Sequence, residues 1–481
     1  MKQFHIFWTK LISGIFPYFA SFFKLFFAII WNSSTKGGEN MKMKKATALT
    51  LTLAMTAGLL AGCGSGDSGS SKKQTEITIY QSKIEANEGY QKAIDAYEKV
   101  NPDVKINLEA VTGNDFTASL KAKMQSDPPT IFSVGGFQDL EDYGDTLLDL
   151  SDMDILDHAL EGTTDMFTTD EGKVLAVPLY MEGYGFVINR EMFEAAGIDV
   201  DSMMDFEGMK KGFDTLKEKI DNGEMKEQYP NLEAVMEYPT KELWIAGDHD
   251  ANVALTHDFK TAKEAYDAAE LPGTGFEDYK TMVDFQASYT TNADDTAKLN
   301  AVDYTTSLEG GLAIERVAAL KQGNWIAPAV ENTDPEVLAK LDMLPYSVPG
   351  YSDGKYFVGV SGYWAINSKA SEEQIEAAKD FINWLYSDPE GQKIVVEDCK
   401  FVPPYDNFGD LQATDPLSQR IMDANQEGNT MNGWVYSGAP STWGQQVAGV
   451  EVQKYLAGQA TWDEVTQTCI DQWAEMREAQ N

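Results

Sequence analysis

The sequence predicts an α/β protein organised as two lobes. Strand and helix signals alternate from residue 77 to residue 134, the pattern of a parallel sheet with covered faces. The chain beyond position 62 runs to about 420 residues, more than one hydrophobic core holds. No internal repeat of fixed period points to a solenoid or propeller.

The elements follow in order. Ile77–Tyr80 is a short strand. Tyr90, Ile94 and Tyr97 recur at spacings of four and three, an amphipathic helix stopped by Asn101-Pro102. Val104, Ile106, Leu108 and Ala110 alternate with polar residues as a second strand. Asn114 is placed to cap a helix carrying Phe116, Leu120 and Met124, which Asp127-Pro128-Pro129 ends, and Thr130–Val134 is a third strand. Further on, Gly183–Arg190 reads as a strand and Met204–Ile220 as a helix. Glu372–Tyr386 is a helix with Ile375, Ala378, Ile382 and Leu385 on one face, and Trp462–Ala479 is a last helix that docks on the body.

Ahead of these elements stands an export-like segment. Lys42, Lys44 and Lys45 precede an uncharged apolar run, Ala46–Leu60, and Leu60-Ala61-Gly62 leads into Cys63. The build is that of a signal peptide over 41–62, and Leu-Ala-Gly-Cys resembles a bacterial lipobox, in which the thiol is diacylated and the chain is cut before it. Residues 63–75 then form a Gly/Ser-rich tether. Its Gly64-x-Gly66-x-x-Gly69 follows no strand and is not a dinucleotide site. Residues 1–40 read as an over-long start, since Lys36–Asn40 is encodable as a purine-rich ribosome-binding site ahead of Met41 or Met43. The alternative is a membrane segment over Ile6–Trp31, interrupted by Lys10, Pro17 and Lys24.

The formal charge is −38, and it becomes −44 without residues 1–62, which hold seven Lys and one Glu. So acidic a surface repels nucleic acid, and no basic patch is present to grip phosphates. Beyond Cys63 only Cys399 and Cys469 occur, which leaves one bridge open and excludes a disulfide framework. No nucleophile elbow, HExxH or P-loop is present.

Five stretches then carry a family resemblance: ITIYQSKIEANEGYQKAIDAYEKVNPDVKI (77–106), VPLYMEGYGFVINREMFEAAGI (177–198), LAIERVAALKQGNWI (312–326), GYWAINSKASEEQIEAAKDFINWLYSDPEGQK (362–393) and TWGQQVAGVEVQKYLAGQATWDEV (442–465). The chain resembles the extracellular solute-binding proteins of ABC importers, in the sugar-binding branch that includes maltose-binding protein. The resemblance implies a class II periplasmic-binding-protein-like fold with ligand held between lobes, lobe 1 being 76–184 and 361–404 and lobe 2 being 185–360 and 405–481. Crossings are expected near Gly183–Phe186, Gly359–Gly362 and Pro403-Pro404. The implied function is capture of an oligosaccharide by a monomeric, lipid-anchored receptor outside a bacterial, Gram-positive membrane, without cofactor or catalysis, and delivery to a permease. Where many relatives carry an Asp before the first cleft loop, this chain has Pro129-Thr130.

A sugar presents flat C–H faces and a rim of hydroxyls, so its site needs aromatic platforms with carboxylates and amides at the edge. By alignment with the family, Trp443 and Trp325 are expected platforms, Asn324 lies beside Trp325, and Trp364 sits at the return crossing. Trp244 and Trp434 are further candidates, against core packing for each. Glu182 aligns with a cleft carboxylate, and Tyr180 and Tyr184 flank it. Lys83 and Glu85 follow the first strand, Phe137 and Gln138 the third. Asp248-His249-Asp250 has metal-ligand residue types, but without partners at a ligand spacing it reads as a polar turn. Two rivals remain: a receptor for a polyamine or peptide on the same fold, and a glycosidase using Glu182 and Glu85.

Overall fold

Residues 74–111 and 116–480 of the computed structural model are described, so the leader, Cys63 and Asn114 lie outside them. The strands are β1 (Thr75–Gln81), β2 (Val104–Ala110), β3 (Ile131–Val134), β4 (Val177–Asn189), β5 (Ala234–Glu237), β6 (Val317–Gly323), β7 (Leu341–Leu344), β8 (Tyr356–Ile366) and β9 (Thr430–Asn432). They join in one sheet in the order β2-β1-β3-β8-β4-β6-β5, with β7 on β4 and β9 on β8.

This sheet is two half-sheets sharing two long strands. β1 pairs in parallel with β2 and with β3, as the alternating strands and helices predict. β4 and β8 run antiparallel from Val177↔Trp364 to Tyr184↔Phe357. At one end β8 pairs with β3, and at the other the end of β4 pairs with β6 and β7. Gly183 and Gly359, near which crossings are expected, pair within one ladder, and Met181 also bridges Val402, next to Pro403-Pro404. The strand expected over Gly183–Arg190 begins six residues earlier, because Val177–Glu182 already pairs with the returning β8.

Helices cover the sheet. α1 (Asn87–Val100) buries Tyr90, Ile94 and Tyr97, the three residues that marked it in sequence. α2 is Phe116–Ser126, and α3, Phe137–Tyr143, starts directly beyond β3. α4 is Phe206–Asp221, which begins after Met204 because the Asp205 side chain accepts from the Gly208 N–H as its cap. α5 is Ala262–Asp267. α6 (Glu372–Ser387) opens on a reciprocal Ser371/Gln374 capping box. α7 is Pro416–Glu427 and α8 is Trp462–Gln480.

Side chains alternate across the shared strands. One face gathers Ile77, Ile79 and Trp364 with α1 and α6, and further along the same strands Tyr184, Phe186 and Ile188 with α4. The other face gathers Phe132, Met181, Val358 and Val360 with Ile421 of α7. A separate cluster holds α8. Cys399 and Cys469 are free and buried, one among the α1/α6 residues and the other in the α8 cluster.

Candidate functional site

Twelve of the thirteen residues of β4 are buried, and the exception, Glu182, is the strand's one charged side chain. A carboxylate at the middle of such a strand requires partners. Lys83, just past β1, supplies its ammonium at 2.5 Å from Glu182 Oε1. The Ser361 hydroxyl of β8 donates to Oε2. Lys83 Nζ also stands 3.1 Å from Glu85 and 5.0 Å over the Tyr180 ring, and Tyr180 stacks on Phe401 at 4.3 Å. Burial works against the Lys83 ammonium, but Glu182, Tyr180 and Glu85 outweigh it and hold the lysine above its ordinary range.

Across the strand the Gly183 N–H donates to Asn324 Oδ1 at 3.0 Å, which fixes the turn that follows β6. That turn presents Trp325, half-buried, whose Nε1 donates to Gln322 at 2.9 Å. Trp325 borders the same small cavity as Lys83, Glu85, Glu182, Lys400 and Phe401. A neighbouring cavity of about 230 Å³ runs from Lys83 past Ser361 to Gly135 and Asp139.

The second wall is a nest of rings around His249. Trp325 and Trp244 each lie 5.1 Å from its imidazole, Tyr436 5.5 Å, Trp434 6.0 Å and Tyr184 4.7 Å. Burial holds the imidazole well below the ordinary histidine range, and Lys321 adds to this. Behind the nest, Asp250 takes Lys321 at 2.8 Å and the hydroxyls of Tyr238 at 2.7 Å and Tyr346 at 2.8 Å. The aromatic wall thus rests on a buried ion pair in which both Asp250 oxygens are engaged.

Several expectations need correction. Trp443 is fully buried, its Nε1 donates to the Cys469 carbonyl at 2.9 Å, and it packs edge-on against Trp473 at 5.1 Å. It belongs to the core. Trp364 is equally buried, on the face of β8 that packs against Tyr90 at 4.9 Å and Phe381 at 6.4 Å. Tyr184 lies beneath His249, with its hydroxyl donating to main-chain carbonyls of His249 and Gly433. Gln138 is exposed on α3 and donates to Glu141. Phe137 stacks on Tyr266 of α5 at 4.6 Å. Trp434 is buried against the main chain of Gly359, where a Cβ would come within 2.7 Å of its ring. That close approach is what the glycine permits. Asp248-His249-Asp250 is no turn: it ends a π-helical segment, Ile245–Asp250, and its three side chains go separate ways.

Lys83, Glu85, Tyr180, Glu182, Asn324, Trp325 and Trp244 are brought together. Ser361, Tyr436, His249 and Phe401 were missed. Ser361 had a signal, a lone hydroxyl in the Gly359–Gly362 crossing; His249 had none, because its role depends on rings distant in sequence.

A family model of bacterial extracellular solute-binding proteins matches residues 92–420, well over half of the chain. No curated protein matches the sequence. Among solved structures, the binding protein MsmE of Bacillus subtilis subsp. subtilis, in an open conformation, is similar at 19% identity and TM-score 0.63, over 85% of this chain and 100% of that one. A sugar transporter of Bacillus licheniformis in complex with stachyose shares 18% identity at TM-score 0.59, over 84% and 100%. The binding protein RafE in complex with raffinose shares 15% at TM-score 0.64, over 84% and 100%. These likenesses show the fold, that of two-lobed solute-binding proteins. With its two half-sheets on shared strands and a family match across both, the chain belongs to the bacterial extracellular solute-binding proteins.

Proposed function

We propose that the protein captures a neutral oligosaccharide between its lobes and hands it to the permease of an ABC importer, performing no chemistry on it. The observation that carries this reading is that half-buried Trp325, set in the His249 nest beside Trp244, borders the same cavity as Glu182 and Lys83, the carboxylate of Glu182 also meeting the Ser361 hydroxyl. Stacking ring faces against the aromatic wall while hydroxyls exchange hydrogen bonds with the polar one is the chemistry of a sugar site. Structural neighbours bind stachyose, raffinose and chitin oligosaccharide, which supports the same class of ligand.

A polyamine receptor needs carboxylates free to meet ammonium groups. Here Glu182 and Glu85 both turn to Lys83, so the site already holds its own cation. The same geometry argues against a glycosidase, whose two carboxyl groups must face the bond between them.

The lobes in this reading are 76–184 with 361–404, and 185–360 with 405–481, closing about β4 and β8. Ligand favours the closed form to the extent that it binds that form better. The receptor works as a monomer, and a diacylated Cys63 after removal of 41–62 holds it at the outer membrane face. Calorimetric titration of the purified protein with α- and β-linked gluco-, galacto-, xylo- and manno-oligosaccharides tests the cargo. Heat from one series supports the reading, and silence across all of them with heat from spermidine or a peptide mixture overturns it. Release of a Cys63→Ala protein into the medium tests the anchor, and retention at the membrane counts against it.

A further inference from the structure

A second cavity, of about 610 Å³, lies along the other face of the shared strands. Met181, Val358 and Val360 point away from Glu182 by the pleat, and all three line it. Its walls come from the shared strands β4 and β8, from Phe137 at the start of α3, from the loop 161–170 ahead of β4, and from residues 261–263, Asn425 of α7 and β9 far beyond it. Between the end of the β9 ladder at Val358 and the start of the β3 ladder at Tyr363, β8 has no strand partner on that side, and the cavity occupies this gap.

Three features set its chemistry. Its lining combines the thioethers of Met166, Met181 and Met431 with the rings of Phe137, Tyr363 and Trp434. Tyr363 is only 3% exposed, its ring lies 4.8 Å from Phe167, and its hydroxyl makes no hydrogen bond among the described residues although the residue borders open space. Around the rim stand Glu161, Asp165 and Asp170, none with a basic partner among the described residues, while the one lysine there, Lys263, is held by Asp267 at 2.6 Å.

We infer that this cavity is a second ligand site, on the opposite face of the shared strands from Glu182 and touching the His249 nest only at Trp434, for a small organic cation with an apolar body, such as an aryl or alkyl ammonium. Sulfur and π faces receive the body, the Tyr363 oxygen accepts from the ammonium, and the unpaired carboxylates supply the field. The volume is that of small-molecule sites generally. The inference does not depend on what the cleft at Glu182 binds.

The test is calorimetric titration of the purified protein with benzylammonium and with benzyl alcohol, which carries the same ring without the charge. The cation is expected to bind at least about tenfold more tightly. Asp165→Asn with Asp170→Asn brings the two probes together, and Tyr363→Phe weakens the cation alone. Met431→Trp fills the cavity and removes both, and Thr168→Trp does so from the 161–170 loop, each with unfolding temperature unchanged. Equal affinity for the two probes, no heat from either, or binding that survives both fillers overturns the inference. Oligosaccharide titrations run alongside report on the other cleft independently.

Discussion

Lys83 and Glu182 are 99 positions apart in sequence, and their charged atoms stand 2.5 Å apart at the centre of the shared strands. The contact ties the loop after β1 to the middle of β4. Both groups are largely screened from water, with side-chain exposures of 18% and 12%, so each depends on the other. Lys83→Met is expected to cost about 1–3 kcal/mol, because it leaves a carboxylate with only the Ser361 hydroxyl. Glu182→Gln keeps that hydroxyl contact and costs less. Urea midpoints of the two variants check the order, and equal losses contradict it.

Asp248 gives the protein a pH-dependent term. Burial pushes its carboxyl up to about 7, against smaller opposing pulls from Gln445 and Lys321. An unfolded Asp ionises near pH ~3.9, so between about 4 and 7 the folded chain retains a proton that the unfolded chain has lost. This contribution is fully present below about pH 4 and fades as pH rises to about 7. Asp248→Asn removes the slope. Its stability relative to the parent protein is expected to rise by about 4 kcal/mol between pH ~4 and ~8, read from denaturation midpoints, and a pH-independent difference contradicts this.

Burial raises both thiols, Cys399 and Cys469, far above the ordinary range, and each lies in a different hydrophobic cluster. Neither is expected to react with iodoacetamide in native buffer, and both are expected to react in guanidinium chloride. A Cys399–Cys469 bridge, seen as a mass two hydrogens lower in a tryptic digest, contradicts the structure.

The first half-sheet was legible because its signals are local. Tyr90, Ile94 and Tyr97 announce α1 by spacing, and Ser371 with Gln374 caps α6 within four residues. β4 was half-read, since its early pairing depends on β8, which lies well over a hundred residues away. The site divided in the same way. Glu182 was legible as a lone charge in an apolar run, and Trp325 as an aromatic at the end of a strand. Trp443 was misread because a tryptophan beside a turn looks alike whether it faces ligand or Cys469. The nest around His249 was invisible, since its rings come from positions 184, 244, 325, 434 and 436.

The central claim is that sugar is held between the Trp325 wall and the Glu182 pair, and a comparison of Trp325→Ala with Trp443→Ala tests it most directly. Calorimetry with the best-binding oligosaccharide is expected to show affinity falling about 10- to 100-fold in Trp325→Ala, with a stability loss of about 1–2 kcal/mol, smaller than at Trp443. Trp443→Ala is expected to lose about 3–5 kcal/mol of stability and, where folded, to keep its affinity. Unchanged affinity in Trp325→Ala, with binding lost in a folded Trp443→Ala, would contradict the account and move the sugar to another part of the molecule.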